Sequence, residues 1–283
     1  MPNDPAPVTV THTTRDVLRV SGPDAIGFLQ GQLSQDVAGL AVGSSAWSFV
    51  LQPQGKVDAW FRVHRTADDA GTIDVDTGWG PAVLARLERF KLRTKADIEL
   101  VEAVPTVAVR GLQVDGGLAA GWPGIAGSDH VGADAVPPGL AAAELDAEGF
   151  EALRIAHGVP ALGFELTDAT IPAEAGQWVI DASVSFTKGC FTGQELVARI
   201  DSRGGNVPRH LCILRVAGPA PVAGVEVEVG GEVVGVVTSA ATALDGAAVA
   251  LAYVKRSVEV PTGGSVAGSV GGVNAAIERV PAV

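Results

Sequence analysis

The stretch Phe186-Thr-Lys-Gly-Cys-Phe-Thr-Gly-Gln-Glu-Leu-Val-Ala-Arg-Ile200 holds the residues best suited to chemistry. Thr192 and Glu195 have the S/T-x-x-E spacing of a capping box, which predicts a helix beginning just after Thr192. Leu196, Val197 and Ile200 would form its buried face. Cys190 then precedes a helix N-terminus, where unpaired N–H groups and the macrodipole favour negative charge. Lys188, two residues upstream, can add a full positive charge. Both effects favour a thiolate, the reactive form of cysteine. The bland alternative stands beside this one, because a lone cysteine is also an ordinary small buried residue.

A second cluster follows: Arg199, Asp201, Arg203, Gly204-Gly205, Arg209 and His210. Arginines around a Gly-rich turn can receive carboxylates or phosphates, and a solvated loop has the same composition. The glycine pair does not follow a strand, so it is no dinucleotide loop. Lys56 and Asp58 lie on an early hairpin, where they could serve acid–base chemistry or be plain exposed residues. Trp47, Trp60, Trp79, Trp122 and Trp178 fit core or interface positions, and any of them could stack on an aromatic ligand. The five histidines have no context that assigns a Ser-His-Asp or Cys-His-Asp arrangement.

Several elements must position these groups. Asp16–Val20 reads as a strand, and residues 24–33 as a helix with Ile26, Leu29 and Leu33 on one face. Trp47–Leu51, a Pro53-Gln-Gly-Lys56 turn and Val57–Val63 read as a hairpin. Thr72–Asp76 alternates as a strand. Pro81–Phe90 is amphipathic, with Val83, Leu84, Leu87 and Phe90 at helical spacing, and Ala96–Val101 returns to strand. From about 106 to 149 the register is undetermined. Phe150–Ile155 opens a helix closed by Gly158-Val-Pro160. Beyond His210 the chain is mostly Val, Ala and Gly in short alternating segments such as Val225–Val229 and Val233–Val237, which predicts a small all-β barrel or sandwich. Helices and strands do not alternate regularly, so the class is α+β.

Bulk properties exclude more than they identify. With 283 residues there is room for two or three cores. Lys+Arg number 20 against Asp+Glu 32, a net charge of −12 that repels phosphate backbones and anionic lipid surfaces. No nucleic acid or membrane partner is therefore expected. Cys190 and Cys212 are too few for a disulfide framework, for a metal site or for the four thiolates of an iron–sulfur cluster. Residues 1–7 have neither a basic nor an apolar export region, so a cytoplasmic location with a free Cys190 thiol is the expectation.

Lys188-Gly-Cys-Phe-Thr-Gly-Gln-Glu195, with Val-Ala-Arg199 and Arg203-Gly behind it, resembles the hallmark of the YgfZ family. That family binds tetrahydrofolate and assists maturation or repair of iron–sulfur proteins. Gly22-Pro-Asp24 through Phe28-Leu-Gln-Gly-Gln32, Pro53-Gln-Gly-Lys56 and Ile171-Pro-Ala-Glu-Ala-Gly176 extend the resemblance, and the last two are also similar to the glycine-cleavage T protein, an aminomethyltransferase. The resemblance implies a ring of subdomains around a central folate cavity: a folate-binding region over 1–205, made of interleaved parts over roughly 1–104 and 105–205, and a C-terminal β-barrel over 206–283. It makes Cys190 the functional thiol at the cavity mouth, with Lys188, Gln194, Glu195 and Arg199 around it. It also suggests Arg203 and Lys56 near the ligand, Phe150 as an aromatic contact and Asp58 in the place of an acidic pair. One departure is Ala156, where T proteins carry an acidic residue that grips the pterin.

Three functions compete on this reading: a tetrahydrofolate-dependent accessory protein for iron–sulfur enzymes using Cys190, with client or assembly proteins as partners; an aminomethyl transferase using Asp58; and a folate-regulated binding module.

Overall fold

A computed structural model describes residues 7–243 and 245–281, so the N-terminal reading over 1–6 lies outside the described residues. The first half is one mixed sheet with helices on it. Its strands are β1 (Thr9–Ser21), β2 (Ser45–Leu51), β3 (Val57–Ala67), β4 (Ala70–Asp76), β5 (Asp97–Arg110), β6 (Leu118–Ala119), β7 (Gly127–Val131) and β8 (Ala143–Glu144). They lie in the order β2-β3-β4-β1-β5-β7-β6, with β8 parallel to the start of β1. β1 and β5 pair along almost their whole length, with a register shift between Arg15 and Val17. β4 pairs with β1 only from Arg15 onward, and β7 pairs with β5 only from Thr106 onward. The long β1–β5 pair therefore carries one group of strands at each end.

α1 (Ala25–Gln32) and α2 (Gly80–Phe90) match the amphipathic segments read from the sequence. Val83 and Leu87 of α2 are buried, while the Phe90 ring lies under the Arg86 guanidinium at 3.9 Å. α3 (Ala147–Ala156) starts at Asp146, whose carboxylate accepts from Gly149 N at 2.8 Å. A 3₁₀ turn (Pro172–Ala175), α4 (Gln177–Ser183) and α5 (Gln194–Asp201) complete this half.

The remainder closes into a six-stranded barrel in the order β10-β11-β12-β9-β14-β13. These strands are β9 (Arg209–Val216), β10 (Glu226–Val229), β11 (Glu232–Thr242), β12 (Ala248–Lys255), β13 (Ser265–Val270) and β14 (Val273–Arg279). β12 is apolar at nearly every position because both of its faces are covered. Ala248, Ala250, Ala252 and Val254 fill the barrel, and Val249, Leu251 and Tyr253 pack outward with Ala152 and Ile155 of α3. Cys212 points into the barrel core, where burial pushes its thiol up to about 11.

Candidate functional site

The chemistry-bearing residues fall in two places. At the first, the signature segment docks on the β2–β3 turn. Gly193 takes φ +82° and begins α5 with no side-chain cap. The capping box expected from Thr192 and Glu195 is thus not formed. The left-handed backbone at Gly193 delays the helix to Gln194, whose Oε1 instead reaches back to accept from Phe191 N at 3.2 Å. The glycine is required by contact as well as by φ. A Cβ there would lie 2.5 Å from Gln52 O, and one on Gly55 would lie 2.6 Å from Leu196 Cβ. Two glycines thus let the Pro53–Lys56 turn and the start of α5 meet backbone to backbone.

Lys188 is half-buried beside this contact. Its Nζ donates to Gln30 O (2.5 Å), Leu33 O (2.6 Å) and Gln35 O (2.9 Å), and lies 5.2 Å from the Phe191 ring. Burial pushes its pKa down to about 8, against the nearby Asp36 charge. Cys190 is exposed, as are Glu195, Arg199 and Arg203, and Lys56 is half-buried in the turn. Asp58 accepts from Arg86 Nε at 3.2 Å, and Arg86 also reaches Gln32 Oε1 and Leu51 O.

The second place is a cavity of about 300 Å³ between the sheet and α3. Trp47, Trp60, Trp122, Phe150, Arg15 and Arg110 line it, with Asp76, Asp129, Glu151 and Arg154 among its polar groups. Trp47 and Trp60 stack at 4.1 Å, and Trp60 meets Trp178 edge-on at 6.0 Å. Trp122 and Phe150 lie 5.3 Å apart, and the Arg110 guanidinium sits 4.1 Å from Trp122 and 5.3 Å from Phe150.

A buried ion network supports this wall. Arg62 grips Asp74 with two bonds of 3.0 Å and reaches Asp129 at 2.9 Å. Arg110 holds the other Asp129 oxygen at 2.9 Å, while Arg15 bridges Asp74 and Asp76. Three arginines against three aspartates make the cluster neutral, as a buried group of charges must be to persist. Burial opposes the charge on Arg62, yet Asp74 and Asp129 outweigh it and raise its pKa. Burial likewise opposes the Asp129 charge, but Arg110 and Arg62 hold that carboxyl at about 2. For Arg110 burial prevails and lowers the pKa. Its buried Nε–H has no acceptor among the described residues. An aromatic-lined cavity with one unsatisfied cationic donor suits a planar ring bearing acceptor atoms.

Of the residues singled out in the sequence, Lys188 and Gln194 come together around one small cavity, Lys56 lies in the turn that α5 contacts, and Phe150 reaches the larger cavity. No residue from 186 to 203, Cys190 included, is among those lining it, and neither is Asp58. Ala156 packs at the seam between α3 and the barrel. Arg15, Arg62, Arg110, Asp74 and Asp129 were missed because they sit on separate strands. The available signal was a charge set inside an apolar strand run, as in Trp60-Phe-Arg-Val63 and Val107-Ala-Val-Arg110.

No protein-family model matches the chain. It is 29% identical over 218 residues to a tRNA-modifying protein YgfZ of Edwardsiella ictaluri, covering 67% of this chain and 65% of the relative. It is 29% identical over 218 residues to the mitochondrial iron–sulfur cluster assembly factor IBA57 homolog of Mycosarcoma maydis, covering 67% of this chain but only 53% of the relative. Among solved structures, the glycine cleavage system aminomethyltransferase T of Bartonella henselae superposes with TM-score 0.74 over 98% of this chain and 87% of its own, at 19% identity. That last likeness concerns the fold alone. No described helix is long and apolar enough to cross a membrane.

Proposed function

As a homologue of YgfZ and IBA57 proteins with an aminomethyltransferase-type fold, the chain is, we propose, a tetrahydrofolate-binding accessory protein for assembly or repair of iron–sulfur enzymes. The observation that carries the ligand half is the aromatic-lined cavity with the unpartnered Arg110 Nε–H. Trp122 and Phe150 supply faces for a fused ring, and Arg110 supplies a donor for a ring carbonyl or a carboxylate. At about 300 Å³ the cavity is at the small end of ligand pockets, roughly 300–1,000 Å³. It takes the ring system and leaves a charged tail outside. A bound folate would supply one-carbon or redox chemistry at its reduced ring; the residues around it bind and orient.

The exposed Cys190 supports the client half, since a thiol that meets another protein must be reachable. Two cysteines cannot hold a resident cluster, so any cluster contact is shared with a partner. Asp58 does not favour the transferase alternative, because its carboxylate is held by Arg86 away from the cavity wall.

Calorimetric titration of tetrahydrofolate tests the ligand half. Saturable binding is expected for the wild type and for Cys190→Ala, with about tenfold or greater weakening in Arg110→Ala, the loss expected for a charged hydrogen bond. No binding by the wild type removes folate from the proposal. In cells lacking the native copy, Cys190→Ala should fail to restore iron–sulfur enzyme activities. Full restoration removes the thiol.

A further inference from the structure

The pairing of a lysine and a cysteine two residues apart invites the reading that the ammonium activates the thiol. The geometry points elsewhere. An ammonium has three N–H donors, and all three on Lys188 are taken by the carbonyls of Gln30, Leu33 and Gln35 at 2.5–2.9 Å. None is left for a thiolate.

These carbonyls mark the end of α1. Gln30 O is one of the carbonyls a helix leaves unpaired in its last turn, because Ser34 N, its normal i+4 donor, bonds to Phe49 O instead. α1 has no basic residue in its last turn. A cation at that place satisfies the orphan carbonyls and the negative end of the helix together. Lys188, 158 residues away along the chain from Gln30, is that cation. Neighbouring bonds run the same way. Ser34 Oγ donates to Ser183 O at 2.6 Å, Gln35 Nε2 to Ala182 O at 3.0 Å, and Ser185 N to Ser34 O at 3.0 Å. On the other side the segment is seated by the Gly55–Gly193 contact.

We propose that Lys188 is a positioning residue: its ammonium locks the 186–193 segment onto the C-terminal end of α1, fixing where Cys190 is presented, and it has no N–H left to bond the thiol. This inference rests on geometry alone and is tested on the folate-free protein, so its failure leaves the folate reading untouched.

The test separates charge from geometry. Lys188→Met removes both, whereas Lys188→Arg keeps the charge on a planar fork that cannot serve three converging carbonyls. Hydrogen exchange of the 186–193 amides should rise by about tenfold or more in both variants, the loss of at least one charged hydrogen bond. Cys190 alkylation by anionic iodoacetate relative to neutral iodoacetamide reads the local charge, which a purely structural change does not move. That ratio should differ between wild type and Lys188→Met by less than about twofold, because no direct charged hydrogen bond to the thiol is lost. Unchanged exchange in Lys188→Met, wild-type exchange in Lys188→Arg, or a several-fold fall in the iodoacetate preference each overturns the proposal. If Lys188→Met does not fold, Lys188→Gln takes its place in the same comparison.

Discussion

Single residues here divide into those that the proposed function offers to a ligand or partner and those that hold the others in place. Asp129 belongs to the second kind. It joins Arg62 to Arg110 in the cavity wall, and those two arginines hold its carboxyl at about 2, below its ordinary 3.8. A depressed carboxyl stabilises the fold above its ordinary pKa, and that contribution is lost as pH falls through the folded value. Unfolding free energy should therefore drop by roughly 2 kcal/mol between about pH 4 and pH 2 on account of this group. Denaturant titrations at a series of pH values measure it. In Asp129→Asn this acid-dependent part should vanish, and stability at neutral pH should fall by about 3–5 kcal/mol because two buried arginines lose their shared partner. Unaltered acid sensitivity in that variant would show that the network does not depend on Asp129.

At the scale of elements, the start of α5 shows how a local signal is overridden by packing. The Thr192–Glu195 spacing is a genuine cap signature, and an isolated peptide could use it. In the fold, Gly193 must approach Gln52, Leu51 and Gly55 too closely for any side chain, and its positive φ starts the helix one residue later. Thr192→Ala should accordingly change stability by no more than about 0.5 kcal/mol, against about 1 kcal/mol for a working cap. Gly193→Ala should cost about 1–3 kcal/mol or more through strain at positive φ plus the contact. Thermal unfolding of the two variants ranks them, and a larger loss in Thr192→Ala would restore the capping box. Elements with strong periodicity, α2 and the β2–β3 hairpin, were legible in the sequence because their own buried faces decide them. Between 106 and 149 the strands were not legible, since β6 and β8 are two residues each and exist only as partners of β7 and β1.

On the scale of the whole molecule, Glu165 joins the barrel to the sheet half. This fully buried carboxylate accepts from Thr238 Oγ1 at 2.7 Å and Ser239 Oγ at 2.5 Å on β11, from Ala161 N at 3.0 Å, and from Arg154 at 3.1 Å beside the cavity. Its backbone carbonyl accepts from Tyr253 on β12. Glu165→Ala should cost about 3–5 kcal/mol, as breaking a buried ion pair does. It should also uncouple the halves. All five tryptophans lie before the barrel, and the single tyrosine, Tyr253, lies within it. Tryptophan fluorescence and far-ultraviolet circular dichroism should thus give one coincident urea transition in the wild type and separate transitions in Glu165→Ala; coincidence in both would place the coupling elsewhere.

By itself, the sequence determined the α+β class, the closing all-β domain, the early hairpin and helices, and it singled out the signature segment as a contiguous motif. Each of these is written in local order: periodicity, turn residues, or a contiguous motif. Only the tertiary structure decided that the Lys188 ammonium is spent on the end of α1, that the signature glycine serves a contact with the β2–β3 turn, and that Arg15, Arg62 and Arg110 converge at the wall of one aromatic-lined cavity. Those facts depend on pairs separated by tens to more than a hundred residues. A charge in a strand does not reveal its partner until strand order and register bring the two together. The physical reason is that burying a charge is tolerated only where an opposite one meets it, and that meeting is a property of the assembled fold.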